Sequence, residues 1–246
     1  MFWFEGLLSL PGIGIRLKPS FKEVSAFENS LGYFLDYLSE EYDDLIINKK
    51  KMWGYSISSK NSNFAFAIDR KNIVIHSVYS ITQESQPGKP PKFVIPEIRT
   101  CSELVEKIFE YLKNIFEAIK DVKEFKYDRI GIFIETNLDE ESLPPGIVSW
   151  IENLGKIFLK GEVITTSSTY TIKLNKADEY LDQCHHFIDF DQSSPESGYH
   201  LKLDWQRIYD TPVSLEYKKV LHAIAGCKEE AFTYFQKFGE GDFYDD

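Results

Sequence analysis

Ile13, Ile15 and Leu17 alternate with small or polar residues, which predicts a strand over 13–20. The period then changes. Val24, Phe27, Leu31, Phe34, Leu35 and Leu38 recur at helical spacing behind Ser20-Phe-Lys-Glu23, which has the spacing of a capping box. Three strand-like runs follow at 52–58, 63–69 and 73–80, separated by polar turns at 60–62 and 70–72. Residues 83–91, with Pro87, Gly88, Pro90 and Pro91, read as a loop, and 92–95 as a short fourth strand. A second capping box, Thr100-Cys-Ser-Glu103, opens a helix striped by Leu104, Ile108, Leu112, Ile115 and Ile119.

The order of elements then recurs. Residues 129–135 are rich in β-branched side chains and read as a strand. Pro144-Pro-Gly146 leads into a helix carrying Ile147, Trp150, Ile151, Leu154 and Phe158. Strands are expected at 162–174, 185–191 and 199–208. Thr211-Pro212 reads as an N-cap followed by proline in the first turn, opening a last helix with a bend at Gly226. Both halves therefore read β-α-β-β-β-α, at an offset of about 118 residues and without convincing residue-by-residue identity. The expected fold is α+β, with antiparallel sheet and helices mainly on one face. Its boundaries are 1–126 and 127–246, as two halves or as one continuous domain. This order resembles the TATA-binding-protein-like fold, which does not by itself fix a function.

Charge adds an asymmetry. The 246 residues carry a formal charge of -11, from 28 Lys+Arg against 39 Asp+Glu. Residues 1–130 are balanced, and 131–246 carry the whole excess of acid. Phosphate binding draws on clustered Lys and Arg, and only Arg16, Arg70, Arg99, Arg129 and Arg207 are arginines. The chain is therefore expected to bind neither nucleic acid nor anionic membrane. An acidic second half suits a protein partner with a basic patch, or solubility alone. Cys101, Cys184 and Cys227 are odd in number and widely spaced, which excludes a disulfide framework and fits a reducing cytoplasm. No run reaches the length of a membrane-spanning helix.

Candidate chemistry is sparse. In Cys184-His-His-Phe-Ile-Asp-Phe-Asp191, alternation puts His185, Phe187, Asp189 and Asp191 on one strand face. A hairpin to the next strand would bring His200 to Asp189 and Asp191, a ligand set suited to a divalent metal. The same residues also suit the solvated face of a half-buried sheet, and Lys202 would repel a cation. Glu135, Asp139, Glu140 and Glu141 could support acid–base chemistry, or simply form a solvated loop. Cys184 and His185 are neighbours on a strand and so point to opposite faces, against a nucleophile–base pair. Gly12-Ile-Gly14 lacks the rest of a dinucleotide fingerprint, and Lys49-Lys-Lys51 reads as a turn. Trp53, Tyr55, Phe64 and Phe66 alternate with small residues rather than with lysine, which favours core packing over a base-stacking platform.

The stretch Arg129-Ile-Gly-Ile-Phe-Ile-Glu-Thr-Asn137 resembles the Arg-hydrophobic-Gly-hydrophobic strand motif of a sporadically distributed bacterial family of uncharacterised α+β proteins. Phe133 stands where that motif has a second arginine, and Asn137 is displaced. The resemblance implies a bacterial origin and a defence-related or mobile-element setting, and carries over no catalytic residue. The resulting expectation is a non-enzymatic protein-binding or regulatory protein without cofactor. Its acidic contacts would be Asp139, Glu140, Glu141, Asp189, Asp191, Asp204 and Asp242. The alternatives are a metal-dependent hydrolase built on Asp189, Asp191 and His200, and a small-molecule sensor.

Overall fold

The structure, a computed structural model, describes residues 2–5, 9–18, 24–50, 54–59, 63–79, 82–84, 92–94, 99–122, 125–157, 165–191 and 198–242. Strand β1 (Leu10–Lys18) is followed by helix α1 (Val24–Glu41) and by β2 (Ile46–Lys50), β3 (Gly54–Ser58), β4 (Phe64–Asp69) and β5 (Asn72–Ser77). The short β6 (Thr82–Glu84) and β7 (Lys92–Val94) pair with each other, and α2 (Cys101–Ala118) closes this half. The second half runs β8 (Lys126–Leu138), α3 (Pro145–Ile157), β9 (Thr165–Lys176), β10 (Tyr180–Asp191), β11 (Gly198–Ser214) and α4 (Tyr217–Glu240).

The mixed α+β fold holds one nine-stranded antiparallel sheet, in the order β2-β3-β4-β5-β1-β8-β11-β10-β9. The first strand of each half lies at the centre, and β1 pairs with β8. In each half the later strands run outward in reverse order, so the two halves mirror each other about the β1–β8 seam. Gly14 pairs with Gly131 at that seam, within an Ile-Gly-Ile repeated at 13–15 and 130–132. The identity absent over the halves as a whole is thus present at their junction.

Alternation along each strand separates two faces. Ile13, Ile15, Leu17, Ile73, Ile75, Ile130, Ile132, Ile134, Leu201, Leu203 and Trp205 are buried. Their face meets the helices: α2 packs on β1 and α4 on β8, with α1 beside α2 and α3 beside α4. Burying each such side chain contributes about 1.5–3 kcal/mol relative to leaving it exposed. The Thr100 capping box forms as expected. Glu103 N donates to Thr100 Oγ1 at 3.2 Å, and Thr100 N to Glu103 Oε2 at 2.9 Å.

Three sequence expectations need correction. Strand β2 was not anticipated, because an edge strand with only Ile46 and Ile47 apolar gives a weak periodic signal. Thr211 and Pro212 do not start the last helix. The strand β11 continues to Ser214, and the ladder slips between Ile208 and Val213, the kind of irregularity where a strand tolerates proline. Lys49 and Lys50, expected in a turn, belong to strand β2. The first capping box, at 20–23, lies outside the described residues.

Candidate functional site

The face of the sheet turned away from the helices carries polar, charged and aromatic groups on its central strands. From β1 it takes Gly12, Gly14, Arg16 and Lys18. From β8 it takes Arg129, Gly131, Phe133 and Glu135, and from β11 His200, Lys202, Asp204 and Gln206. Cross-strand register sets the arrangement: Arg16 faces Arg129, Gly14 faces Gly131, and Gly12 faces Phe133.

These pairs create a depression of about 160 Å³, lined by Gly14, Arg16, Asn72, Val74, Arg129, Gly131, Phe133, Asp204 and Gln206. Its floor is the two glycines. A Cβ on Gly14 would meet only Val74 Cγ2 at 3.6 Å, and one on Gly131 only Asp204 Oδ1 at 3.5 Å among side chains. These glycines leave open space rather than relieving a clash. Gly12 differs: a Cβ there would lie 2.1 Å from Phe133 Cζ, so the phenyl ring rests directly on the Gly12 backbone.

A chain of contacts fixes the rim. Arg129 Nη1 donates to Gln206 Oε1 at 3.2 Å, and Gln206 Nε2 donates to Asp204 Oδ2 at 2.6 Å. Burial pushes the Asp204 carboxyl above the usual range, against the opposing pull of Gln206, His185, Lys202 and Arg129. Arg16 and Lys18 both bind Asp128, at 2.5 and 3.0 Å. Burial alone would raise the Asp128 carboxyl, but these two cations outweigh it and hold it below its ordinary value.

Beyond Phe133 the face continues across strands. Lys202 Nζ lies 4.8 Å from the Phe133 ring centroid and 3.4 Å from Glu135 Oε2. Phe187 pairs with Lys202 across the β10–β11 ladder, and its ring lies 5.5 Å from that of His200. Aromatic and basic residues thus interleave on this face after all. They do so across three strands rather than along one, whereas Phe64 and Phe66 are core residues as expected.

The expected metal constellation is only partly assembled. Asp189 does lie opposite His200. The His200 imidazole, however, pairs with Glu135, Nε2 to Oε1 at 3.0 Å. Among the described residues no group of three or more His, Cys, Asp or Glu side chains is placed to hold a metal ion. The Cys184 thiol is buried and pushed up by burial, and it lies on the opposite face from His185. Asp139 accepts from Ser142 N at 2.8 Å as a local cap. Asp139, Glu140 and Glu141 follow the end of β8, and Asp189 and Asp191 end β10, near the same end of the sheet. Asp242 follows α4. Asp204 is the exception, at the centre of the sheet and inside the depression.

On the helix side, a larger hollow of about 450 Å³ lies between α4 and the strands, lined by Leu174, Trp205, Glu229, Glu230, Tyr234 and Lys237 among others. Glu230 is already held by Arg207 at 2.6 Å. The remaining charged groups, Glu229 and Lys237, belong to the helix rim, so the open face is the more convergent site.

No family model and no curated protein matches the chain. Among solved structures, a rolling circle replication initiator protein from Geobacillus stearothermophilus aligns over 88% of this chain and 79% of its own, with 10% identity and a TM-score of 0.26. So slight a likeness carries no argument about what this chain does. The expected non-enzymatic protein-binding role and the expected absence of nucleic acid are not retained. The physical weakness of that expectation lies in the charge sum, since -11 says nothing of where Arg16, Lys18, Arg129 and Lys202 converge. No helix among the described residues is long and apolar enough to cross a membrane.

Proposed function

We propose that the open face of the sheet binds single-stranded nucleic acid, with one base lying flat over Gly14 and Gly131. The observation that carries this reading is the pairing of Arg16 with Arg129 beside a glycine floor whose far wall is Phe133. Like charges directly opposite each other in a sheet are destabilising. Asp128 offsets one of them, and acceptor atoms of a ligand would offset the other. Pockets that enclose a whole small molecule run to about 300–1,000 Å³. A depression of about 160 Å³ takes one flat group and leaves the rest of the ligand outside, as one unit of a strand would lie.

Unpaired bases are bound by stacking on aromatic side chains and by hydrogen bonds to their exposed edges, with cations along the backbone. Phe133 and Phe187 supply rings, Asn72, Asp204 and Arg129 supply edge contacts, and Arg16, Lys18 and Lys202 supply cations. Screening confines the acidic excess elsewhere on the chain to within about 8–10 Å of its own position. Arg129 and Gly131, on which the chain resembles the sporadic bacterial family, are both residues of this depression.

Fluorescence anisotropy with a labelled oligothymidylate of about ten nucleotides tests the reading. Binding should weaken as salt rises from about 50 to about 200 mM. The Gly14→Ala/Gly131→Ala variant should fold normally and lose binding, since both methyl groups fill the floor without a clash. Equal binding by the wild type and this variant would sink the proposal, as would tighter binding of the same sequence in duplex form.

A further inference from the structure

We infer that the depression selects guanine, an inference that rests on the single-strand reading above. The argument starts from what the rim can donate and accept. Gln206 is committed at both ends of its amide, accepting from Arg129 Nη1 and donating to Asp204 Oδ2. That fixes the carboxylate so that Asp204 Oδ1 stands above Gly131, 3.5 Å from the position a Cβ would occupy. An acceptor therefore overhangs one side of the floor. Arg129 and Arg16 border the same floor with guanidinium donors.

A base that fits must offer donors toward Asp204 and acceptors toward arginine. Guanine presents N1–H and N2–H₂ on one edge and O6 and N7 on another, and arginine forks onto O6 and N7. Cytosine and adenine each offer a single amino group as donor. Thymine places two carbonyls beside its one N–H, and these would face the carboxylate. Val74 and the Phe133 ring close the remaining sides with apolar surface, which suits a planar ring edge.

The test uses oligothymidylates of about ten nucleotides carrying one central guanine, adenine or cytosine, beside the all-thymine strand. The guanine strand should bind at least about fivefold tighter than the others. Asp204→Asn should remove that preference and bring the guanine strand down to the affinity of the other strands, as expected when an edge contact is lost. Arg129→Lys, which keeps the charge and loses the fork, should flatten the preference as well. Equal affinities for all strands, or a preference that survives Asp204→Asn, would overturn the guanine assignment alone. Failure of the all-thymine strand to bind the wild type would instead overturn the single-strand reading, and this inference with it. Tighter binding of free guanosine monophosphate than of the guanine strand would do the same, by making the free nucleotide the ligand.

Discussion

The Phe133 ring rests on the backbone of Gly12, its paired residue across the central seam of the sheet. A methyl group at Gly12 would lie well inside contact distance of three ring atoms. Gly12→Ala should therefore cost about 1–3 kcal/mol, as overpacking does. Gly12→Ala/Phe133→Ala should recover most of that loss, because the clash disappears with the ring. Urea denaturation of the two single variants and the double variant gives the coupling directly. Additive losses would mean that the two residues do not touch.

The floor glycines should behave in the opposite way. In a strand interior glycine costs about 0.5–1 kcal/mol relative to alanine, and neither Gly14 nor Gly131 has a neighbour that a methyl group would strike. Gly14→Ala and Gly131→Ala should leave thermal stability unchanged or raise it. A fall in melting temperature for either would show that a neighbour does strike the added methyl group.

Arg207 forms a forked pair with Asp182, Nε to Oδ1 at 2.8 Å and Nη2 to Oδ2 at 2.7 Å, in a buried setting capped by the Tyr180 ring. Removing Asp182 leaves the buried Arg207 with the half-exposed Glu230 as an acid partner. Asp182→Ala should cost about 1.5–3 kcal/mol, as the loss of hydrogen bonds to a charged group does. Replacing both residues with apolar side chains of similar volume should cost less than that single change. Chemical denaturation of the three proteins decides the matter, and a single variant as stable as the wild type would exclude the pair as a buried one.

Acid should destabilise the fold through His186. Burial lowers its pKa from 6.5 to about 4, and its ring stacks on Tyr170 and bonds the Tyr234 hydroxyl at 3.0 Å. The unfolded chain then binds the proton more readily than the folded one between those values. Stability is full above about 6.5 and falls as pH drops toward 4, by about 3 kcal/mol at most. His76, whose pKa burial also lowers, contributes with the same sign. Urea melts at neutral and mildly acid pH should show a smaller acid loss for His186→Phe than for the wild type. Equal losses would remove His186 from the account.

Much of this molecule is legible in its sequence where one element carries the signal. Alternation at Ile13, Ile15 and Leu17 marks the central strand, the Thr100–Glu103 spacing marks the start of α2, and alternation also brings Asp189 opposite His200. The open face is not legible in that way. It depends on pairs distant in sequence, Arg16 with Arg129 and Phe133 with Gly12, whose meeting is set by the β1–β8 register. A whole-chain charge averages over such pairs, and a search for aromatic–basic alternation along one strand cannot see Phe133, Lys202 and Phe187 on three. The repeated Ile-Gly-Ile at 13–15 and 130–132 was the available signal, since two equivalent central strands must meet at the seam.

Photo-crosslinking tests the central claim most directly. An oligothymidylate carrying a photoreactive thymine analogue would be bound and irradiated, and the attached peptides mapped by mass spectrometry. The account predicts adducts on β8 around Phe133 and on β11 around Lys202 and Gln206, lost in the Gly14→Ala/Gly131→Ala variant. Adducts confined to α2 and α4, on the other side of the sheet, would contradict it.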